Sequence, residues 1–86
     1  MNMSENFTRR SIRVTTDALR VFASEYGINM GIDDSDNRPN VIKYVFYHTM
    51  SGKGTVIIID FMQVEYLDKC IDTVIERLME KFVLEG

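Results

Sequence analysis

The chain has 86 residues, of which 45% are hydrophobic and 27% are charged, and its formal net charge is −3. This length predicts one domain over residues 1–86 and excludes an enzyme built from separate cofactor and substrate domains. The acidic balance disfavours a nonspecific nucleic-acid binder, and no apolar run approaches the length of a membrane span.

The sequence contains one cysteine, Cys70, and one histidine, His48. A single cysteine excludes an intramolecular disulfide, and the pair is too few for a structural zinc site. Small secreted domains usually need such crosslinks, so their absence predicts a cytoplasmic protein. We expect no cofactor, no metal and no membrane contact.

The first 27 residues contain three segments with different predicted structures. Residues 1–8 are polar and predict a mobile tail. Residues 11–14 alternate polar and apolar side chains, the pattern of a half-buried strand. Thr15 then predicts the N-cap of a helix over residues 16–26, and Gly27 predicts its left-handed C-terminal cap.

The middle of the chain predicts a polar loop followed by a β-hairpin. Residues 29–40 contain Gly, Pro and a run of acidic residues, all typical of loops. Residues 41–50 and 55–59 are rich in β-branched and aromatic side chains and predict two strands. The intervening residues 51–54 predict a hairpin turn whose register pairs Phe46 with Ile59.

Asp60 predicts the N-cap of a second helix over residues 61–84, with Gln63 at the capping-box position. The apolar side chains of this helix repeat at helical spacing, which predicts one buried stripe: Val64, Leu67, Ile71, Val74, Ile75, Leu78 and Phe82. The predicted fold is therefore α+β, in the order β-α-β-β-α, with a mostly antiparallel sheet and two helices. The predicted first strand joins the sheet edge or pairs across a dimer.

The hairpin strands are apolar on both faces, which is unusual for an antiparallel sheet with one face in water. Either each face is covered by one helix, or both helices cover one face and another polypeptide covers the second. The second arrangement predicts an interface at Val45, Tyr47, Val56 and Ile58, with Lys43 at its rim. A symmetric homodimer is the first expectation for that arrangement.

No set of residues predicts catalysis. Residues 52–55 match only the end of a phosphate-binding loop and are interpreted as the hairpin turn. Residues 34–36 begin like a calcium loop but lack its later ligands, which indicates a solvated acidic turn. His48 and Cys70 have no catalytic partner in the pattern and are interpreted as structural. We therefore predict that the protein is not an enzyme.

One segment resembles a known family. Residues 10–14, Thr15, Asp17, Leu19, Phe22 and Gly27 resemble the start of a ribbon-helix-helix repressor, whose short strand reads the DNA major groove as part of a dimer. The resemblance implies that Arg9, Arg10, Ser11 and Arg13 contact DNA. It covers about 20 residues, and the second helix of the family is replaced by an acidic loop and a hairpin.

The first functional hypothesis is a small protein-binding domain that occupies a surface on a partner macromolecule. It would act as an adaptor, an inhibitor or a decoy, and a phage-type inhibitor of a host protein fits this description. If the sheet face forms a homodimer, an alternative partner surface contains Asp33, Asp34, Asp36 and Tyr66. The second hypothesis is a sequence-specific DNA-binding dimer, and the third is a dimer that holds a small ligand between its subunits.

Overall fold

A computed structural model describes residues 3–33 and 38–84, with side chains from Phe7 onward. The elements are helix α1 at Met3–Glu25, strands β1 at Asn29–Asp33, β2 at Val41–His48 and β3 at Lys53–Asp60, and helix α2 at Leu67–Met79. A π-helical turn, Glu80–Leu84, continues α2. The sheet is antiparallel with the strand order β1-β2-β3. The α+β class is confirmed, but the order of elements is α-β-β-β-α.

The first strand predicted over residues 11–14 is wrong, because these residues lie inside α1. The buried side of the N-terminal half of this helix bears hydroxyl groups: Thr8, Ser11 and Thr15 are all buried. These three residues recur at helical spacing. Because they are polar, the spacing of apolar residues does not indicate a helix here. Residues 3–8 also belong to α1, where the sequence predicts a mobile tail.

The two ends of α1 differ in how well local signals predict them. Thr15 does not cap a helix, because it lies in the middle of α1 with its side chain fully buried. The predicted C-terminal cap is confirmed: Gly27 has φ of +67°, and the Ile28 N–H donates to the Ala23 carbonyl at 2.8 Å. This is the pattern of a Schellman motif, in which a left-handed residue closes the last turn.

Strand β1 lies where the sequence predicts a polar loop. It pairs with β2 through Met30 opposite Phe46 and Gly31 opposite Val45. The apolar side of β1 has only two side chains, Met30 and Ile32. Gly31 between them faces the other side and has no side chain. The segment is therefore too short and too polar for its alternation to be distinguished from a loop.

The hairpin register differs by four residues from the predicted one. Phe46 pairs with Thr55, where the sequence predicts Ile59, and His48 pairs with Lys53. The loop between them is closed by Ser51, whose Oγ lies 2.8 Å from the His48 Nδ1, and by Gly52 at φ of +74°. Because the shift is even, every side chain keeps its predicted face.

Helix α2 begins seven residues after Asp60, where the sequence predicts its first turn directly after Asp60. The Asp60 carboxylate does accept the Met62 N–H at 3.1 Å and the Gln63 side-chain amide at 3.2 Å. These bonds close an isolated turn, because Phe61 enters the core and is only 2% exposed. Helix α2 starts after this turn, at Leu67.

Both helices pack on the same face of the sheet. The buried apolar residues form one cluster that joins α1, the β2 and β3 side chains and α2. Tyr44 and Phe46 are fully buried on the covered face, in the same cluster as Leu19 of α1 and Leu78 of α2. The structure is thus two-layered, and of the two arrangements that the sequence leaves open it adopts the one with an uncovered sheet face.

Candidate functional site

The uncovered side of the sheet is called here the open sheet face and consists of the side chains of Lys43, Val45, Tyr47, Val56 and Ile58. Alternation along β2 and β3 places all five on the side away from the helices. Tyr47 is 47% exposed, Val56 48% and Ile58 54%. The five residues predicted as a protein interface therefore share one surface, on which Tyr47, Val56 and Ile58 are exposed and Lys43 and Val45 are half-buried.

The backbone pairing fixes how this surface is built. Val45 and Val56 lie directly opposite each other, with Gly31 of β1 on the other side of Val45. A Cβ atom on Gly54 would lie 3.5 Å from the ring of Tyr47, so that ring extends over the glycine backbone. The apolar part of the open sheet face is thus concentrated on β2 and β3.

Lys43 lies at the border of the open sheet face, as predicted. Its Nζ lies 3.5 Å from a carboxylate oxygen of Asp33, the residue opposite it on β1. The sequence predicts Asp33 as part of an acidic partner surface. In the structure it lies beside Lys43, at the rim of the open sheet face. Asp34 and Asp36 of that predicted surface lie outside the described residues.

A groove of about 520 Å³ lies on the outer side of β3, and the sequence did not predict it. One wall is formed by Ile57, Ile58 and Ile59 of β3, and the other by the flank of α2 that includes Thr73 and Arg77. The groove appears only in three dimensions, because its walls come from elements whose packing angle no local pattern specifies.

Tyr66 stands at one end of this groove and is 65% exposed. The Lys69 Nζ lies 5.1 Å from the centre of its ring, a cation–π contact. Tyr66 is therefore available on the surface, as predicted, but it is separate from Asp33 and belongs to a different face of the molecule.

The residues implied as DNA readers occupy two sides of α1. Arg9, Arg10 and Arg13 are exposed, but Ser11 is 2% exposed and its hydroxyl donates to the Phe7 carbonyl at 2.8 Å. A helix cannot pair as a β-ribbon, so strand-mediated reading of DNA is wrong for this chain.

His48 contacts the hairpin turn and Phe82, and Cys70 is half-buried on α2. The His48 Nδ1 accepts the Ser51 N–H at 3.3 Å, and the ring lies edge-on to Phe82 with 6.5 Å between ring centres. Burial raises the pKa of the Cys70 thiol, which opposes formation of the nucleophilic thiolate.

Within residues 3–33 and 38–84, no three His, Cys, Asp or Glu side chains come together in a way that would hold a metal ion. In the same part of the chain, neither helix is long and apolar enough to cross a lipid bilayer.

Comparisons with protein families, characterised proteins and solved structures give no match to this chain. The open sheet face, the β3 groove and the exposed side of α1 are therefore the surfaces from which we infer a function.

Proposed function

We propose that this protein is a small protein-binding domain whose open sheet face is covered by a second copy in a symmetric dimer. The observation that supports it is the packing of both helices on one face, which leaves Tyr47, Val56 and Ile58 about half exposed on the other. Exposed apolar patches on a sheet are typical of protein interfaces.

The energetics favour burial of this face. Covering the exposed half of one such side chain contributes roughly 1 kcal/mol. A symmetric dimer uses the same patch twice, so six such side chains are buried together. Two sheets that pack face to face lie about 10 Å apart with interdigitated side chains, which an apolar patch bordered by Lys43 and Asp33 allows.

The test is the mass of the protein in solution, measured by light scattering for the wild type and for Tyr47→Asp. We expect a wild-type dimer, and a folded monomer for the variant, because an unpaired carboxylate buried in the interface weakens association by at least about 100-fold.

Tyr66→Asp is the matched control, since Tyr66 is also an exposed tyrosine, 65% against 47% for Tyr47, but lies off the open sheet face. It should remain a dimer. Circular dichroism and thermal melting establish that both variants are folded. A wild-type monomer at high concentration, or equal masses for the two variants, contradicts the homodimer.

The exposed side of α1 favours a second candidate function, binding of double-stranded DNA by this helix. Arg9, Arg13 and Arg20 fall within about 40° of one another around α1 and extend over about 16 Å of its length. Arg20 also lies 3.8 Å from the Asp17 carboxylate, which partly offsets its charge. The helix that carries this row of arginines, α1, would contact phosphates and enter the major groove.

Fluorescence anisotropy of a labelled DNA duplex tests this second function. If it is correct, affinity falls steeply as salt is raised from 50 to about 200 mM, and Arg13→Glu abolishes binding. Arg77→Glu, a charge reversal away from α1, is the control and should bind like the wild type. Absence of binding at low salt removes this candidate.

A further inference from the structure

Strand β3 has a free edge. It is the last strand of the order β1-β2-β3, and no strand in the described part of the chain pairs with its outer side. The Phe61 N–H donates to the Asn40 carbonyl at 2.8 Å, which continues the β2–β3 ladder. Because antiparallel ladders alternate, Ile57 and Ile59 bond to β2 while Val56 and Ile58 direct their N–H and C=O groups outward.

Apart from the flank of α2 across the groove, this edge lacks the features that usually protect one. Natural edge strands are short, twisted by bulges, or interrupted by proline or by central charges. Strand β3 has eight residues, its charged residues Lys53 and Asp60 stand only at its ends, and it contains no proline. Such an edge accepts another extended chain, because only an extended backbone pairs with a row of outward N–H and C=O groups.

The second wall of the groove sets the end charges that this chain needs, and antiparallel pairing is slightly more stable per residue than parallel pairing. Helix α2 runs back along β3, since the Lys53 Nζ reaches the Lys81 carbonyl at 3.5 Å near the far end of the helix. Glu65 and Asp60 therefore lie at one end of the groove and Arg77 toward the other. Arg77 makes no ion pair with any described residue.

We propose that this groove binds an extended peptide segment of a partner protein, added antiparallel to β3. In this direction the amino end of the segment lies near Glu65, and its carboxyl end, with an acidic residue, lies near Arg77. The opposite direction would place the acidic residue beside Asp60 and Glu65. The inference rests on the proposed protein-binding function and supplies its partner site, which shares Ile58 with the open sheet face but uses the outward backbone groups of β3 and the flank of α2.

The probe is a labelled seven-residue peptide of alternating valine and threonine, with lysine at the amino end, glutamate at the carboxyl end and both termini blocked. Its binding to the full chain is followed by fluorescence anisotropy. We expect saturable binding that is lost when every second peptide amide is N-methylated, because methylation removes the donors that face Val56 and Ile58.

Two protein variants test the two parts of the site. Ile58→Pro removes an outward N–H and keeps the ladder to β2, so it should weaken binding at least about tenfold, whereas Ile58→Thr keeps that N–H and, although it changes a side chain of the groove wall, should weaken binding clearly less than the proline does. Arg77→Glu should weaken binding of this peptide roughly fivefold. The variant should instead prefer a peptide with glutamate at the amino end and lysine at the carboxyl end. Circular dichroism verifies that the variants fold, and the methylated peptide tests the wild type independently.

Three outcomes overturn the proposal: no binding of the peptide, equal binding of the methylated peptide, or occupation of the edge by a second copy. In the last case, the Val56 and Ile58 amides are protected from hydrogen exchange without peptide, and protection grows with protein concentration. The titration is repeated with Tyr47→Asp. Peptide binding by a monomeric variant, or by a wild type that is itself monomeric, supports the groove whatever the fate of the homodimer.

Discussion

Three hydroxyl side chains on the buried side of α1 differ in their hydrogen bonding. Ser11 donates to the carbonyl of Phe7, and the Thr16 Oγ1 lies 2.6 Å from the Tyr44 hydroxyl. The Thr15 Oγ1 is buried and has no partner within the described structure. A buried hydroxyl without a hydrogen bond costs free energy that an apolar side chain of the same shape does not.

Thr15→Val is therefore expected to raise the free energy of unfolding by about 1 kcal/mol, since it removes an unpaired hydroxyl and keeps the branched shape. Urea denaturation measures the change. Thr16→Val is the comparison: it should lower the free energy of unfolding by about 1 kcal/mol or more, because the buried Tyr44 hydroxyl loses its partner. A destabilised Thr15→Val would show that the hydroxyl is satisfied in solution.

Tyr44 makes the free energy of unfolding depend on pH in the alkaline range. Burial raises the pKa of Tyr44 above the ordinary value of 10.0, although its hydrogen bond with Thr16 acts in the opposite direction. The folded state thus favours the neutral phenol. This contribution to stability is complete below about pH 10 and is lost as the pH rises through the higher pKa of the folded state.

Tyr44→Phe tests this pH dependence. The variant should be less stable than the wild type at pH 7, because the Thr16 hydroxyl loses its partner, and the difference should shrink above pH 10. Urea denaturation from pH 7 to 11 measures both effects. A difference that stays constant over this range would mean that Tyr44 does not couple folding to pH.

At the scale of elements, local signals predict where a turn forms better than how far a helix extends. Gly27 ends α1 as predicted, because its left-handed conformation is a property of one residue. Asp60 makes the predicted cap-type bonds, yet α2 starts only at Leu67, because burial of Phe61 turns the chain into the core first. Helix α1 is longer than predicted. Its N-terminal half buries hydroxyl groups, so the spacing of apolar residues does not indicate that this half is helical.

At the scale of the whole molecule, strand β3 belongs to both proposed surfaces. Val56 and Ile58 direct their side chains to the open sheet face and their backbone groups to the free edge. Tyr47 belongs only to the face and Arg77 only to the groove. These two residues therefore separate self-association from peptide binding experimentally, and a dimer formed through the faces leaves the edge of each copy accessible.

The alternation of side chains along residues 41–48 and 55–60 was enough to assign these hairpin residues to a face, whereas Lys53 and Gly54 of β3 were predicted as part of the turn. That assignment survived a register error of four residues, because an even shift keeps each side chain on its side. The α+β class and the placement of the five residues of the open sheet face on one side of the sheet followed from the same local periodicity.

Only the tertiary structure decided which face the helices cover, because both faces are apolar and either would gain from burial. It also decided that residues 11–14 are helical and that a groove lies between β3 and α2. Each of these features depends on contacts between residues far apart in the chain, where packing against the sheet outweighs local preference.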